Sequence, residues 1–90
     1  VRKIIGKYIV KQKTPQRVLN SRADILRKKR AEILSAEKKG GQIEIKVRAE
    51  SGLYVKEFIS GDGGRTKPSI SELLGIKCEC KRLDVMDIIE

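Results

Sequence analysis

Residues Gln42-Ile43-Glu44-Ile45-Lys46-Val47-Arg48-Ala49 alternate apolar and polar without a break, the period of a strand with one buried face. Gly40-Gly41 immediately before it is a two-residue hairpin signal, which calls for a second strand on its N-terminal side. That preceding run, Asp24 to Lys38, is rich in Ala, Leu, Glu, Lys and Arg, residues that favour a helix capped by Asp24 and stopped at the glycines. Propensity predicts a helix there, whereas the hairpin signal predicts a strand. Upstream, Ile4 to Val10 holds Ile, Tyr and Val and runs into Lys13-Thr14-Pro15, which reads as a strand entering a turn. Gln16 to Arg22 shows neither period and reads as an irregular crossing segment.

Downstream of Ser51-Gly52, Leu53 to Ile59 starts a short helix that gives way to Gly61-Asp62-Gly63-Gly64, where glycine permits tight turning. Pro68 to Gly75 predicts a second short helix. Ser69 stands at its cap, Glu72 completes a capping box three residues on, and Gly75 ends it. In the tail, Ile76, Cys78 and Cys80 share one strand face while Leu83 and Val85 have the opposite parity, so a strand with a bulge near Lys81-Arg82 is expected. No internal repeat or low-complexity stretch divides residues 1–90, and one unit is predicted.

Composition adds a partner class to this pattern. The formal charge is +9, and residues 1–30 hold eleven Lys or Arg against the single acid Asp24. Such a basic block favours a polyanion, since every phosphate neutralised releases counterions; plain solubility is the competing explanation. With one Phe, two Tyr and no Trp, aliphatic packing carries the core. Tyr8, Tyr54 and Phe58 are not grouped at alternating positions, which disfavours a base-stacking platform.

Cys78 and Cys80 are the only thiols and His is absent. One copy therefore lacks the ligands of an ordinary structural zinc site, and the cysteines read as small apolar residues in a reducing compartment. No metal is expected. No apolar run reaches the roughly 20 residues that cross a bilayer, so a cytoplasmic location without membrane contact is expected. The chain opens on Val1 with apolar and basic residues at once, which fits a start inside a larger reading frame.

Ser51-Gly52-Leu53-Tyr54-Val55-Lys56-Glu57-Phe58, followed by Gly61-Asp62-Gly63-Gly64-Arg65-Thr66-Lys67-Pro68, resembles the signature of the archaeal and eukaryotic tRNA T-loop pseudouridine synthases. Lys13-Thr14-Pro15 with Arg17-Val18-Leu19, and Leu83-Asp84-Val85, match the same family in the same order. The resemblance implies an α+β fold, a mixed, mainly antiparallel sheet with short helices. It also implies a long strand from about Ala23 to Ala36, and it makes this chain the C-terminal portion of the catalytic domain.

In that family an aspartate attacks uridine, the base is detached, turned and rejoined through carbon, and neither metal nor organic cofactor takes part. The resemblance implies that Lys56 is the basic partner of the aspartate, that Val55 and Leu83 line the uracil pocket, and that Tyr54 borders it. Leu53 departs from the threonine frequent in relatives, which removes a hydroxyl contact. The aspartate and the pocket tyrosine fall upstream of Val1, so the remainder of the catalytic domain is an expected partner beside tRNA. Asp24, Asp62, Asp84 and Asp87 read as structural or solvated.

Arg65 and Lys67 in the glycine-rich loop are candidate phosphate contacts, with Arg17, Arg22, Lys28 and Arg30 beside them. On a strand Lys28 and Arg30 share one face, and Arg27 and Lys29 the other. The rival reading is a non-catalytic RNA-binding domain of ribosomal-protein type with the same basic surface. A third is a small structural domain whose charge serves solubility alone; it predicts no salt-dependent binding to tRNA.

Overall fold

The computed structural model describes residues 2–80 and 88–89. Its strands are β1 (Gly6–Lys13), β2 (Leu26–Lys39), β3 (Gln42–Glu50), β4 (Thr66–Lys67) and β5 (Ile88–Ile89), and its helices are α1 (Val55–Ser60) and α2 (Ile70–Leu74). The sheet order is β4-β1-β2-β3-β5. The first four strands pair antiparallel, and β5 adds a short parallel pairing at Ala49 and Glu50. The expected α+β class with a mixed, mainly antiparallel sheet is what the chain adopts.

The strand from the hairpin signal prevails over helix propensity between Asp24 and Lys38. β2 pairs with β1 over Leu26 to Ile33 and with β3 over Ala31 to Lys39, so every part of it has a strand partner, and tertiary pairing of that extent overrides a helix preference of a few tenths of a kcal/mol per residue. It runs three residues later at each end than the expected Ala23 to Ala36. The Gly40-Gly41 turn joins Lys39 to its partner Gln42, with Gly40 at φ +60°, a conformation that costs glycine nothing.

One irregularity shapes β2. Ile33 pairs with Val47 and Ser35 with Lys46, so Leu34 is an extra residue. This bulge reverses the inward parity. Ala31 and Ile33 point into the core before it, Ala36 after it, and Leu34 is left exposed.

The core lies on one side of the sheet, where Ile4, Val10, Ala31, Ile33 and Ala36 meet Phe58 of α1 and Ile70 of α2. Phe58 and Ile70 are fully buried, worth about 1.5–3 kcal/mol each relative to exposure. The expected first strand is shifted: Ile4 ends a 3-10 turn (Arg2–Ile4), and pairing starts at Gly6 and continues to Lys13. Gln16–Val18 forms another 3-10 turn inside the segment expected to be irregular.

Helix α2 carries its expected cap: Ser69 Oγ accepts from Glu72 N at 3.1 Å, and Gly75 closes the helix at φ +71°. The strand expected from Ile76 is absent over residues 76–80. Cys78 N instead donates to Ser71 Oγ at 2.9 Å, and the same hydroxyl donates to Ile59 O at 2.8 Å. This ties the chain back to both helices and leaves no ladder to join. Cys78 is half-buried against the core. The bulge expected near Lys81-Arg82, and Leu83 and Val85 after it, lie outside the described residues.

Gly61 couples the two helices. It ends α1 at φ +87°, and a Cβ added there would stand 2.9 Å from Ser69 Oγ. Gly61→Ala is expected to destabilise the fold by about 2 kcal/mol, combining left-handed strain with disturbance of the cap. A urea titration read by far-UV dichroism checks this.

Candidate functional site

The motif from Ser51 to Phe58 is held from below by a polar side chain of β1. Tyr8, Val10 and Gln12 share the inward parity of that strand, and Gln12 is fully buried. Its carboxamide grips the backbone of Tyr54 at two points, accepting from Tyr54 N at 2.9 Å and donating to Tyr54 O at 3.0 Å. The same Nε2 lies 3.1 Å from Thr66 Oγ1 on β4. Gln12 thus acts on Tyr54 as a neighbouring strand would, and fixes the residue from which α1 departs.

Arg17 holds the other side. Its Nε and Nη2 donate to Glu57 Oε2 and Oε1, both at 3.1 Å, and its guanidinium carbon lies 5.8 Å from the centre of the Tyr54 ring, within cation–π range. The Glu57 side chain is only 10% exposed, against 53% for Arg17. A carboxylate this sheltered needs its partner. The hydrogen bonds that Arg17 donates to Glu57, reinforced by the carboxylate's charge, raise the Arg17 pKa further above its already high value.

Lys56, the second residue of α1, is exposed between the two anchored neighbours Tyr54 and Glu57, while Val55 and Tyr54 are half-buried. The structure therefore brings Tyr54, Val55, Lys56 and Arg17 together. Leu83 lies outside the described residues.

Arg65 fastens the loop after α1 to the end of β1. Its Nε and Nη2 donate to Thr14 O at 3.3 and 3.1 Å, its Nη2 donates to Asp24 Oδ1, and Asp62 Oδ2 lies 3.9 Å from Nε. Thr14 is a second hub: its hydroxyl donates to Ala23 O at 2.7 Å and accepts from Ile25 N and Arg27 Nη1, both at 3.1 Å. Asp62 Oδ2 accepts from Gln16 N at 3.0 Å. Lys13-Thr14-Pro15 and the glycine-rich loop, distant in sequence, form one junction.

The hydrogen bond from Arg65 holds the Asp24 carboxyl below its usual range. A lowered folded pKa contributes stability above the unfolded value, and that contribution is lost as pH falls through the folded one. Asp24→Asn is therefore expected to flatten the decline of Tm below about pH 4 while changing Tm near neutrality little, because the pair is exposed. Thermal unfolding of both forms across pH checks it.

The basic candidates divide into two groups. Arg17 and Arg65 are engaged in the internal ties above, Arg30 bonds Glu50 at 3.1 Å, and Arg22 is exposed in the segment leading to β2. Lys28 and Arg30 do share a face of β2, with Arg27 and Lys29 on the other: residues 28 and 30 are exposed and 27 and 29 half-buried. Lys67 is exposed on β4. Gln12, Thr14 and Glu57 are the structural participants that sequence reasoning missed. The signal for Gln12 was present, a polar residue at the inward parity after Tyr8 and Val10.

Among the described residues no group of three His, Cys, Asp or Glu could hold a metal ion, and no helix is long and apolar enough to cross a membrane.

A sequence profile described as "Pus10, C-terminal" matches residues 2–89. The tRNA pseudouridine synthase Pus10 of Methanopyrus kandleri is 45% identical over 91 residues, covering all of this chain and 21% of the relative. Those of Pyrococcus furiosus and Korarchaeum cryptofilum are 44% and 48% identical over 82 residues, 90% of this chain, and 21% and 22% of the relatives. The chain spans about a fifth of the length of these relatives.

Proposed function

Because this chain belongs to the Pus10 C-terminal family, we propose that it is the C-terminal portion of the catalytic domain of a tRNA pseudouridine synthase, which isomerises uridine in the T-loop. The names of its relatives support the activity, and the matched signature supports the roles of individual residues. In this reading the nucleophilic aspartate comes from the upstream remainder of the domain, and Lys56 stands beside it. Val55 and Leu83 wall the uracil pocket, and Tyr54 borders it.

The observation that carries the assignment is the double anchoring around Lys56, with Gln12 on Tyr54 and Arg17 on Glu57. A cation within about 4–6 Å of a carboxylate favours its charged form, and only the ionised aspartate is a nucleophile. Such a cation must be held by its surroundings to act on a partner from elsewhere in the protein. Isomerisation exchanges a nitrogen link for a carbon link with no net oxidation, so these side chains need to position, shield and stabilise charge. A flipped uridine enclosed by apolar walls is kept from water.

Arg22, Lys28, Arg30 and Lys67 are taken as phosphate contacts in this reading, whereas Arg17 and Arg65 serve RNA mainly by holding the loops that meet it. The cytoplasm is the expected location. The test is direct: the full-length protein is incubated with a tRNA transcript, and pseudouridine is mapped in the T-loop. Conversion there supports the reading; tight tRNA binding with no conversion leaves a binding module instead.

A further inference from the structure

The face of the sheet opposite α1 and α2 is uncovered among the described residues, and three strands place a lysine at the same level across it. Lys11 of β1 pairs directly with Lys67 of β4 on one side and with Lys28 of β2 on the other. Direct partners in an antiparallel pair project from the same face. The orientation is fixed independently, because the adjacent level, Thr66, Gln12 and Arg27, points inward, with Gln12 bonded to Thr66. All three lysines are exposed, and none has a carboxylate within 4 Å among the described residues.

Neighbouring strands lie about 4.8 Å apart, so the row spans roughly 10 Å. Like charges set directly opposite one another destabilise a sheet, and solubility would be served as well by lysines placed apart. The arrangement fits a ligand that brings closely spaced negative charge to this line. Next to the row, an open depression of about 380 Å³ is lined in part by Lys7, Ile9, Arg30 and Arg48 together with one carboxylate, Glu32, which lies 3.7 Å from Arg48.

We propose that the open face of the sheet, centred on Lys67, Lys11 and Lys28, is a binding surface for the phosphate backbone of structured RNA. Charge complementarity selects the occupant. The exposed apolar residues Ile9 and Leu26 are separated by the lysine row and form no continuous apolar patch of the kind that marks a protein interface core. No aromatic side chain of the described strands lies on this face, since Tyr8 is on the inward parity. Contact is therefore with backbone and not by stacking, and it is independent of base sequence. The inference rests on the tRNA reading only for the identity of the RNA.

The test is the variant K11Q/K28Q/K67Q in the full-length protein, with affinity for tRNA and for an unrelated RNA hairpin of equal length measured across a series of KCl concentrations. Each phosphate contact contributes about 0.7–0.9 to the slope of log K against log salt, so the slope is expected to fall by roughly 2 to 3, and by the same amount for both RNAs. Tm is expected to hold or rise, because repulsion is relieved. The control K3Q/K38Q, at exposed positions away from this row, is expected to leave the slope in place.

An unchanged slope in the triple variant, or an equal loss per charge in the control, overturns the proposal. So does a fall in Tm with the slope retained, which would mean that the face packs against another part of the protein. Binding is read without conversion. A protein that binds through this row and forms no pseudouridine would sink the isomerase reading and leave this one standing.

Discussion

Replacing Lys56 by methionine in the full-length protein is expected to lower T-loop pseudouridine formation at saturating tRNA roughly 100-fold or more. Methionine keeps the length and apolar stem of the side chain and removes the charge. Removing one preorganised electrostatic group from a reacting centre costs about 2.7–4 kcal/mol of transition-state stabilisation, and each 1.36 kcal/mol is a factor of ten in rate. Because Lys56 is exposed and bonded to nothing in the described fold, Tm should be unaffected, and tRNA affinity should change by no more than one phosphate contact allows. Single-turnover kinetics with excess protein separates these effects. A variant that retains its single-turnover rate would remove Lys56 from the chemistry.

Gln12→Leu is the substitution expected to damage the fold most. Leucine fills much of the same space but makes none of the three hydrogen bonds, two to Tyr54 and one to Thr66. Lost bonds contribute about 1 kcal/mol each, and donors or acceptors left without a partner cost more, so a loss of about 3 kcal/mol or more is expected. A unit of this size is stabilised by only about 5–13 kcal/mol in total. Urea unfolding measures the loss. Activity should fall with stability, even in the fraction that remains folded, because the residue before α1 is no longer fixed. If the urea midpoint moves only slightly, the grip is not what holds Tyr54.

Both effects depend on contacts that differ in how far they could be read from the chain. The Gly40-Gly41 turn, the alternation of β3 and the Ser69 cap of α2 are local patterns, and each was legible because its cause lies within a few residues. β2 was not legible from propensity. The bulge at Leu34 puts Ile33 and Ala36 on the same side at a spacing of three, which imitates a helix period and conceals the strand. The family resemblance recovered the strand but placed it early.

The tail misled in the opposite direction. Ile76, Cys78 and Cys80 alternate over five residues, too short a run to distinguish a strand from a segment pinned by the Ser71 hydroxyl. Lys56 was singled out as a candidate through a motif, whereas the structural roles of Gln12, Arg17 and Arg65 rest on bonds spanning 40 or more residues. No window along the sequence contains both ends of such a bond. Lys11 was likewise unremarkable until the register set it between Lys67 and Lys28.

The two-residue turn at Gly40-Gly41 also sets an order of assembly. Closing a loop costs entropy that grows with its length, and this turn joins β2 and β3 through the shortest connection between paired strands. The hairpin is the contact that chain entropy favours first, and β1 adds to it across the segment from Thr14 to Ile25. The bond from Gln12 to Tyr54 spans 42 residues and rewards closure only once β1 is in place. The grip on Tyr54 is therefore made after the hairpin, and a chain whose hairpin is already native still leaves Lys56 without its anchored neighbour.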